Sequence, residues 1–302
     1  MSQDAEDIAA RLAAGHAVSD AEVSVLAATN DILTLGMLGD EARRRRHGAD
    51  TTFVRVADVN LPLADGADLV IPPAAKEVRV AGALDDFDAV LRGVPRVARA
   101  AGAVPVSAFS VEALEACARR TNRPLEALLT ALRDAGVMLI AEAALDQMQD
   151  AESSLEQVRR AGLGLARLTV HHTARSTARA AHILRARALQ ASLGGWLPSF
   201  APLGRTWNAD APSTGYDDVR QVALARLLAD NIASIQVDWS KYGPKLAQVA
   251  LTVGADDVDG VSPLDETGEG RRRAPLEEIR RNITAAALVP VERDGAYRRT
   301  GA

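Results

Sequence analysis

The chain has 302 residues, of which 48% are hydrophobic, a net charge of −5 and a single cysteine. That is enough apolar material for one large domain or two ordinary ones, and it excludes a disulfide framework. Basic residues are spread thinly outside ARRRRHG (42–48) and RRR (271–273), so a nucleic-acid binder is not expected.

No apolar run reaches the length of a membrane span. The opening MSQDAEDIAARLAAGH lacks the basic and apolar regions of a secretory signal, so the expected location is cytoplasmic. Residues 4–46 read as helical. Ser19 and Glu22 form an S-x-x-E capping box, and DILTLGMLGDEARRRRHG carries Ile32, Leu35 and Leu38 at helical spacing before ending in arginines and Gly48. The period then changes. TTFVRVADV (51–59), EVRVA (77–81), VPVSAF (104–109), VMLIA (137–141), LARLTV (165–170), WLPSFAPL (196–203) and IASIQVDW (232–239) read as strands. Most are continuous apolar runs, as strands covered on both faces should be. Helices are expected at 85–101, 111–133 with a break at Pro124, 151–161, 175–191, 215–230, 244–253 and from Pro275 to about Ala287.

A strand and a helix recur at the spacing of a βαβ unit, and seven such units favour an α/β fold of the TIM-barrel-like kind: a partial β/α barrel of parallel strands. The expected organisation is an N-terminal helical extension (1–50), the barrel (51–260), and a C-terminal loop, helix and tail (261–302). The first crossover, VNLPLADGADLVIPPAAKE, is too rich in Pro, Gly and Asp for a proper helix and is expected to be irregular or truncated. No G-x-G-x-x-G follows a strand, and no P-loop is present.

In a parallel barrel ligands bind at the C-terminal ends of the strands. That filter selects Asp58 and Asn60, Ser107 and Ser110, Glu142 and Asp146, His171 and His172, and Asp238, Ser240 and Lys241. His171 and His172 alternate across a strand and lack further ligands, which argues against a metal site. Cys117, among small apolar helical neighbours, reads as a buried structural thiol. Asp256, Asp257 and Asp259 follow a helix C-terminus, where the dipole disfavours anions. They either pair with arginines in an acidic loop or bind a ligand's hydroxyl or amino groups.

GPKLAQVALTVGADDVDG (243–260) resembles the C-terminal signature of a radical S-adenosylmethionine group. The group comprises aminofutalosine synthase, dehypoxanthine futalosine cyclase and the related deazaflavin-precursor synthases. NDILTLGMLGDEARRRRHG, VRVAGAL (78–84), VSAFSVEAL, HHTARSTARAAHILRARALQ and PVERDGAY (290–297) resemble other segments of that group in the same order. The likeness covers most of residues 18–297 and is densest from 213 to 297.

The departures bear on chemistry. The group holds a [4Fe–4S] cluster on a C-x-x-x-C-x-x-C loop after the first strand; here VADVNLPLADGADLVIPPAAKE has no cysteine. A glycine-rich turn after the fourth strand is replaced by AEAALDQM, with Asp146 at the position of a glutamate. The Glu of an H-x-E-T motif becomes Ala174, while His172 matches its histidine.

The resemblance with these departures implies a pseudoenzyme: a cluster-less, non-radical accessory protein of menaquinone biosynthesis by the futalosine pathway. It would be a partner subunit or a binder of a nucleoside intermediate. The alternative is an enzyme performing non-radical hydrolysis or elimination on a futalosine-like nucleoside, with His172 and Asp238 as its catalytic candidates. The expected ligand-binding set is Asp58, Asn60, Asp146, His172, Asp256, Asp257 and Asp259. No metal or cofactor is expected, and S-adenosylmethionine binding is left open. The expected partners are a cluster-bearing family member or a second copy in a homo-oligomer, with no nucleic acid or membrane.

Overall fold

The structure, a computed structural model, describes residues 7–8, 10–11, 14, 16, 18–63, 69–172, 176–206, 208–264 and 274–300. Residues 4–6 of the expected first helix, 64–68 of the first crossover, Ala174, and 265–273 of the expected C-terminal loop lie outside the described residues.

The elements follow in chain order. Helices α1 (Asp20–Ala28) and α2 (Ile32–His47) precede strands β1 (Asp50–Leu61) and β2 (Glu77–Gly82). Then come α3 (Phe87–Ala101), β3 (Val106–Ser110), α4 (Val111–Thr121), α5 (Leu125–Asp134), β4 (Leu139–Ala144) and α6 (Ala151–Arg160). Next are β5 (Gly164–Leu165), β6 (Leu168–His172), α7 (Ser176–Ser192), β7 (Ser199–Thr206) and α8 (Gly215–Leu228). The chain closes with β8 (Ser234–Asp238), α9 (Trp239–Leu251), β9 (Asp257–Val261), α10 (Pro275–Ala285) and β10 (Val289–Glu292). Strands pair in the order β1-β2-β3-β4-β6-β7-β8-β9, and β9 pairs back onto β1. This is the closed, eight-stranded parallel order of an α/β TIM-barrel-like fold. No described helix is long and apolar enough to cross a membrane.

The eighth strand, β9, is absent from the sequence-based expectation. Its DVDGV carries two charges, yet both aspartates are buried, so hydropathy hides it. Several expected strands also start two or three residues early. Val137, Leu197 and Ile232 are fully buried, but they lie in the turns leaving the preceding helices: Val137 N donates to Leu132 O at 3.0 Å, and Ile232 N to Ala229 O at 3.0 Å. Apolar character reports burial there, and pairing begins later. The first crossover has no helix among its described residues.

The helices start and stop where their caps dictate. Asp31 accepts from Thr34 N at 3.0 Å, and α2 ends in Arg44, Arg45, Arg46 and His47 before Gly48 at φ 62°. Asn122, left-handed at φ 52°, closes α4, and the chain restarts after Pro124 as α5. Helix α9 begins at Trp239, five residues before the expected start, because Asp238 caps it. It is kinked at Gly243 (φ 73°), ahead of Pro244.

The chain forms two compact units. The first comprises Met1–Thr52, Thr169–Val258 and Arg280–Pro290; the second comprises Phe53–Leu168, Asp259–Ile279 and Val291–Ala302. In the first, α2 lies against α8, with Gly36 over the Val253 side chain and Gly39 against Val253 O and Ala223 Cα. In the second, Leu61 at the end of β1 is buried against α3, where a Cβ on Gly93 would come within 2.8 Å of Leu61 Cδ2.

These contacts set a stability test. A Gly39→Ala side chain would overlap a backbone carbonyl, which cannot rotate away. The variant is expected to lose about 1–3 kcal/mol or more in urea unfolding. Gly215→Ala, with open space around it, is expected to stay within about 0.5 kcal/mol of the parent.

Candidate functional site

In the second unit a set of buried charges grows from β2. Glu77 and Arg79 are two residues apart and so share a face. Arg79 Nε donates to Glu77 Oε1 at 3.0 Å, and its Nη2 donates to Asp259 Oδ1 at 2.8 Å. Arg167, between β5 and β6, donates from Nη2 to Glu77 Oε1 at 3.3 Å, from Nη1 to Asp259 Oδ2, and from Nε to Ala141 O at 2.9 Å. Ser107 Oγ completes Glu77 at 2.5 Å. Two carboxylates therefore face two guanidiniums. Burial pushes the Glu77 carboxyl up, but Arg79 and Arg167 overrule it and hold it below the usual range.

Asp58 sits opposite Arg79 in the β1–β2 register, exposed at its tip. Desolvation on its packed side raises its pKa. Arg79 opposes the rise, while Asp259 and Glu77 add to it. Asn60 is also exposed on β1, and Asp146 lies half-buried in the turn after β4.

In the first unit Asp256 is held from every side. It accepts from Arg226 Nη2, from Ser234 Oγ at 2.8 Å and from Ile235 N at 2.8 Å, with His47 Nε2 at 3.4 Å. Arg226, 2% exposed, spends its other donors on Gly254 O at 2.8 Å and Ala233 O at 3.2 Å. Asp257 is met by Thr52 Oγ1 and by Gln236 Nε2 at 2.7 Å. The three aspartates thus stand beside and on a strand with partners in the fold, instead of in an acidic loop.

Asp238 is committed as well. Its Oδ1 accepts from Ser240 N at 2.9 Å, Ser240 Oγ at 2.6 Å and Lys241 N at 3.2 Å, and its Oδ2 accepts from Arg205.

His172 is exposed at the end of β6, with its ring edge-on to that of His171 at 4.6 Å between centroids. It lines a small recess in the first unit, with room for about one water molecule, together with Arg179, His182, Ser213, Asp218 and Gln221. Val170, Pro202 and Leu203 form its apolar wall. Ser213 Oγ donates to Asp218 Oδ1. Burial raises the Asp218 pKa, against Ser213 and Arg179, which lower it. Gln221, 3% exposed, donates from Nε2 to Arg179 O at 3.3 Å, but its Oε1 makes no hydrogen bond among the described residues. A buried acceptor left in that state costs about 1–3 kcal/mol.

Sequence reasoning selected His172 in this recess and missed the rest. Asp218 and Gln221 were legible only as an i, i+3 pair on one face of α8. The pairing arginines had a clearer signal: each of Arg79 and Arg167 interrupts an apolar strand run.

Among the described residues, no group of three His, Cys, Asp or Glu side chains is placed to hold a metal. Cys117, the sole cysteine, is 0% exposed on α4 with Sγ 3.6 Å from Leu84 O. This donor set does not fit a cluster ligated by three thiolates.

Residues 202–300 match the family model described as the CofH/MqnC C-terminal region. An aminodeoxyfutalosine synthase of Thermus thermophilus is 28% identical over 96% of this chain and 94% of its own. The 5-amino-6-(D-ribitylamino)uracil–L-tyrosine 4-hydroxyphenyl transferase of Methanosphaerula palustris is 26% identical over 89% of this chain and 90% of its own. The fold is shared with HydG, a maturase of the [FeFe]-hydrogenase (TM-score 0.65, 13% identity, 96% of this chain and 76% of that one). It is also shared with methylornithine synthase, PylB (TM-score 0.65, 11% identity, 93% and 96%). The chain is thus similar to the Thermus thermophilus and Methanosphaerula palustris relatives over most of its length.

Two measurements test the electrostatics. Arg226→Met leaves Asp256 buried without its cation and is expected to cost about 3–5 kcal/mol in denaturant unfolding; the Arg226→Met/Asp256→Asn double variant should recover part of that loss. Asp58 has a raised folded-state pKa, so its ionisation costs stability as pH rises through that value. Asp58→Asn should therefore be more stable than the parent at neutral pH. The difference should vanish below the ordinary aspartate range of about 4, where both states carry a protonated Asp58.

Proposed function

We propose that the chain is a cluster-less, non-radical homologue of the futalosine-pathway radical S-adenosylmethionine enzymes. In this reading it is a pseudoenzyme that binds a nucleoside intermediate in the cytoplasm as an accessory protein of menaquinone biosynthesis. It would work beside a cluster-bearing relative or as a second copy of itself. The observation that carries the reading is the thiol inventory. The resemblance implies three cysteines after the first strand, and the chain has one cysteine, enclosed on α4. Without a cluster of its own the chain has no source for the electron that splits S-adenosylmethionine.

The binding half of the reading is supported by the relatives. One is named for aminodeoxyfutalosine and another for a ribitylamino-uracil. In the first unit Gln221 Oε1, a buried acceptor without a hydrogen bond among the described residues, is a group that a donor on a ligand would satisfy. The enzymatic alternative finds less support. Asp238 spends its carboxylate on a helix cap and an arginine, and a general base needs a free lone pair aimed at its proton.

Two experiments on the purified full chain test the reading. Anaerobic incubation with iron and sulfide, followed by desalting, is expected to leave no bound iron; stable retention of a cluster would overturn the cluster-less assignment. A thermal-shift titration with aminodeoxyfutalosine, dehypoxanthine futalosine, adenosine and S-adenosylmethionine should raise the melting temperature with a nucleoside. The expected gain is about 2.7 kcal/mol at a hundredfold excess over Kd. No shift with any of the four would sink the nucleoside-binding reading.

A further inference from the structure

We infer that the exposed faces of α2 and α9, both in the first unit, form the interface of a two-fold dimer whose other half is a second copy of this chain. The inference deepens one arm of the partner reading above and is independent of the nucleoside reading.

The argument starts from three apolar side chains left in water. Leu33 is 77% exposed and Met37 68% exposed on α2, and Val249 is 45% exposed on α9. Single exposed apolar residues are ordinary on a protein surface. Here two of them stand one turn apart on one face of α2. The third is brought beside them, because Gly36 rests on the side chain of Val253, four residues after Val249. The three make one apolar patch.

Direction comes from the strands that follow. Helices α2 and α9 each lead by a short turn into β1 and β9, which are neighbours in the parallel barrel. The two helices therefore run the same way, and the contact of Gly36 with Val253 sets Leu33 level with Val249. A two-fold axis through the patch reverses the second copy, so α2 of one copy runs antiparallel to α9 of the other. With Met37 on Val249 of the second copy, the same operation sets Leu33 on Val253 and Met37 beside Leu33.

Charge selects a second copy as the occupant. Glu41 lies one turn beyond Met37, and Lys245 lies one turn before Val249. Both are exposed, and neither makes an ion pair among the described residues. In the antiparallel register Glu41 of each copy faces Lys245 of the other, once at each end of the patch. One surface thus supplies the apolar centre and both of the opposite charges that flank it, which is the self-complementarity an isologous contact needs. Arg45 and Lys241 would be the next pair and are both cations. The kink at Gly243 turns the first turn of α9 off the line of the helix before Lys241 is reached.

The test is sedimentation equilibrium of the full chain without added ligand, and a dimer is expected at tens of micromolar. Met37→Asp sets a carboxylate on apolar surface in both copies and is expected to give a monomer. Glu41→Lys brings two cations together at each end and should raise the dimer Kd at least about tenfold. Glu41→Lys/Lys245→Glu should return it to within about threefold of the parent. Glu41 and Lys245 face water in the single chain, so this series stands even if Met37→Asp fails to fold.

A chain that stays monomeric at every concentration would overturn the interface and leave the nucleoside reading intact. A dimer that survives Met37→Asp in a folded variant would overturn its location. A charge series without loss and rescue would overturn the antiparallel register. Loss with Glu41→Lys and recovery with the double variant would support the interface as described.

Discussion

A carboxylate that leaves water must be met by a cation or by several donors, and the segment around β9 carries three of them in four positions. The structure satisfies each separately. Asp256 takes Arg226, a serine hydroxyl and a backbone amide. Asp257 takes a threonine hydroxyl and a glutamine amide. Asp259 takes two guanidiniums. Each arrangement holds the strand to partners that a shift by one position would lose. Removal of one partner strands a buried charge, whereas an apolar replacement of a whole pair is often neutral. The aspartates are thus better understood as setting register than as adding stability.

That requirement also decides where chemistry can occur. Acids tied into ion pairs cannot easily exchange protons or greet a ligand, because a neighbouring cation holds the charged form in place. Glu77, Asp238 and Asp256 are in this condition. Asp218 and Gln221 differ. One has its pKa raised by burial, and the other has an acceptor atom without a partner among the described residues. Asp218 and Gln221 both line the recess beside His172.

Much of the fold was legible in the sequence, since its period and punctuation are strong. The Pro124 break, the Ser19–Glu22 box and the arginine-rich end of α2 all fall where the residues place them. The lack of a helix in the described residues of the first crossover agrees with its prolines. Strand β9 escaped because hydropathy counts Asp257 and Asp259 as surface residues, and only their distant partners Gln236, Arg79 and Arg167 make them interior ones. The site was less legible for the same reason. His172 stood out by its place at a strand end. Gln221 sits in a helix whose residues from 221 to 228 are all buried, so no amphipathic pattern set it apart. An orphan acceptor is a property of packing, visible only once neighbours are assigned.

The enclosure of Cys117 has a practical side. The thiol is wholly buried and is the chain's only one, so the molecule presents no native sulfur to a maleimide. Tyr216, 74% exposed, lies in the first turn of α8, one helical turn or so from Asp218 and Gln221. A fluorophore coupled through Tyr216→Cys would be attached at a single place, with the native cysteine left untouched. The dye's emission would then report on changes around the first turn of α8.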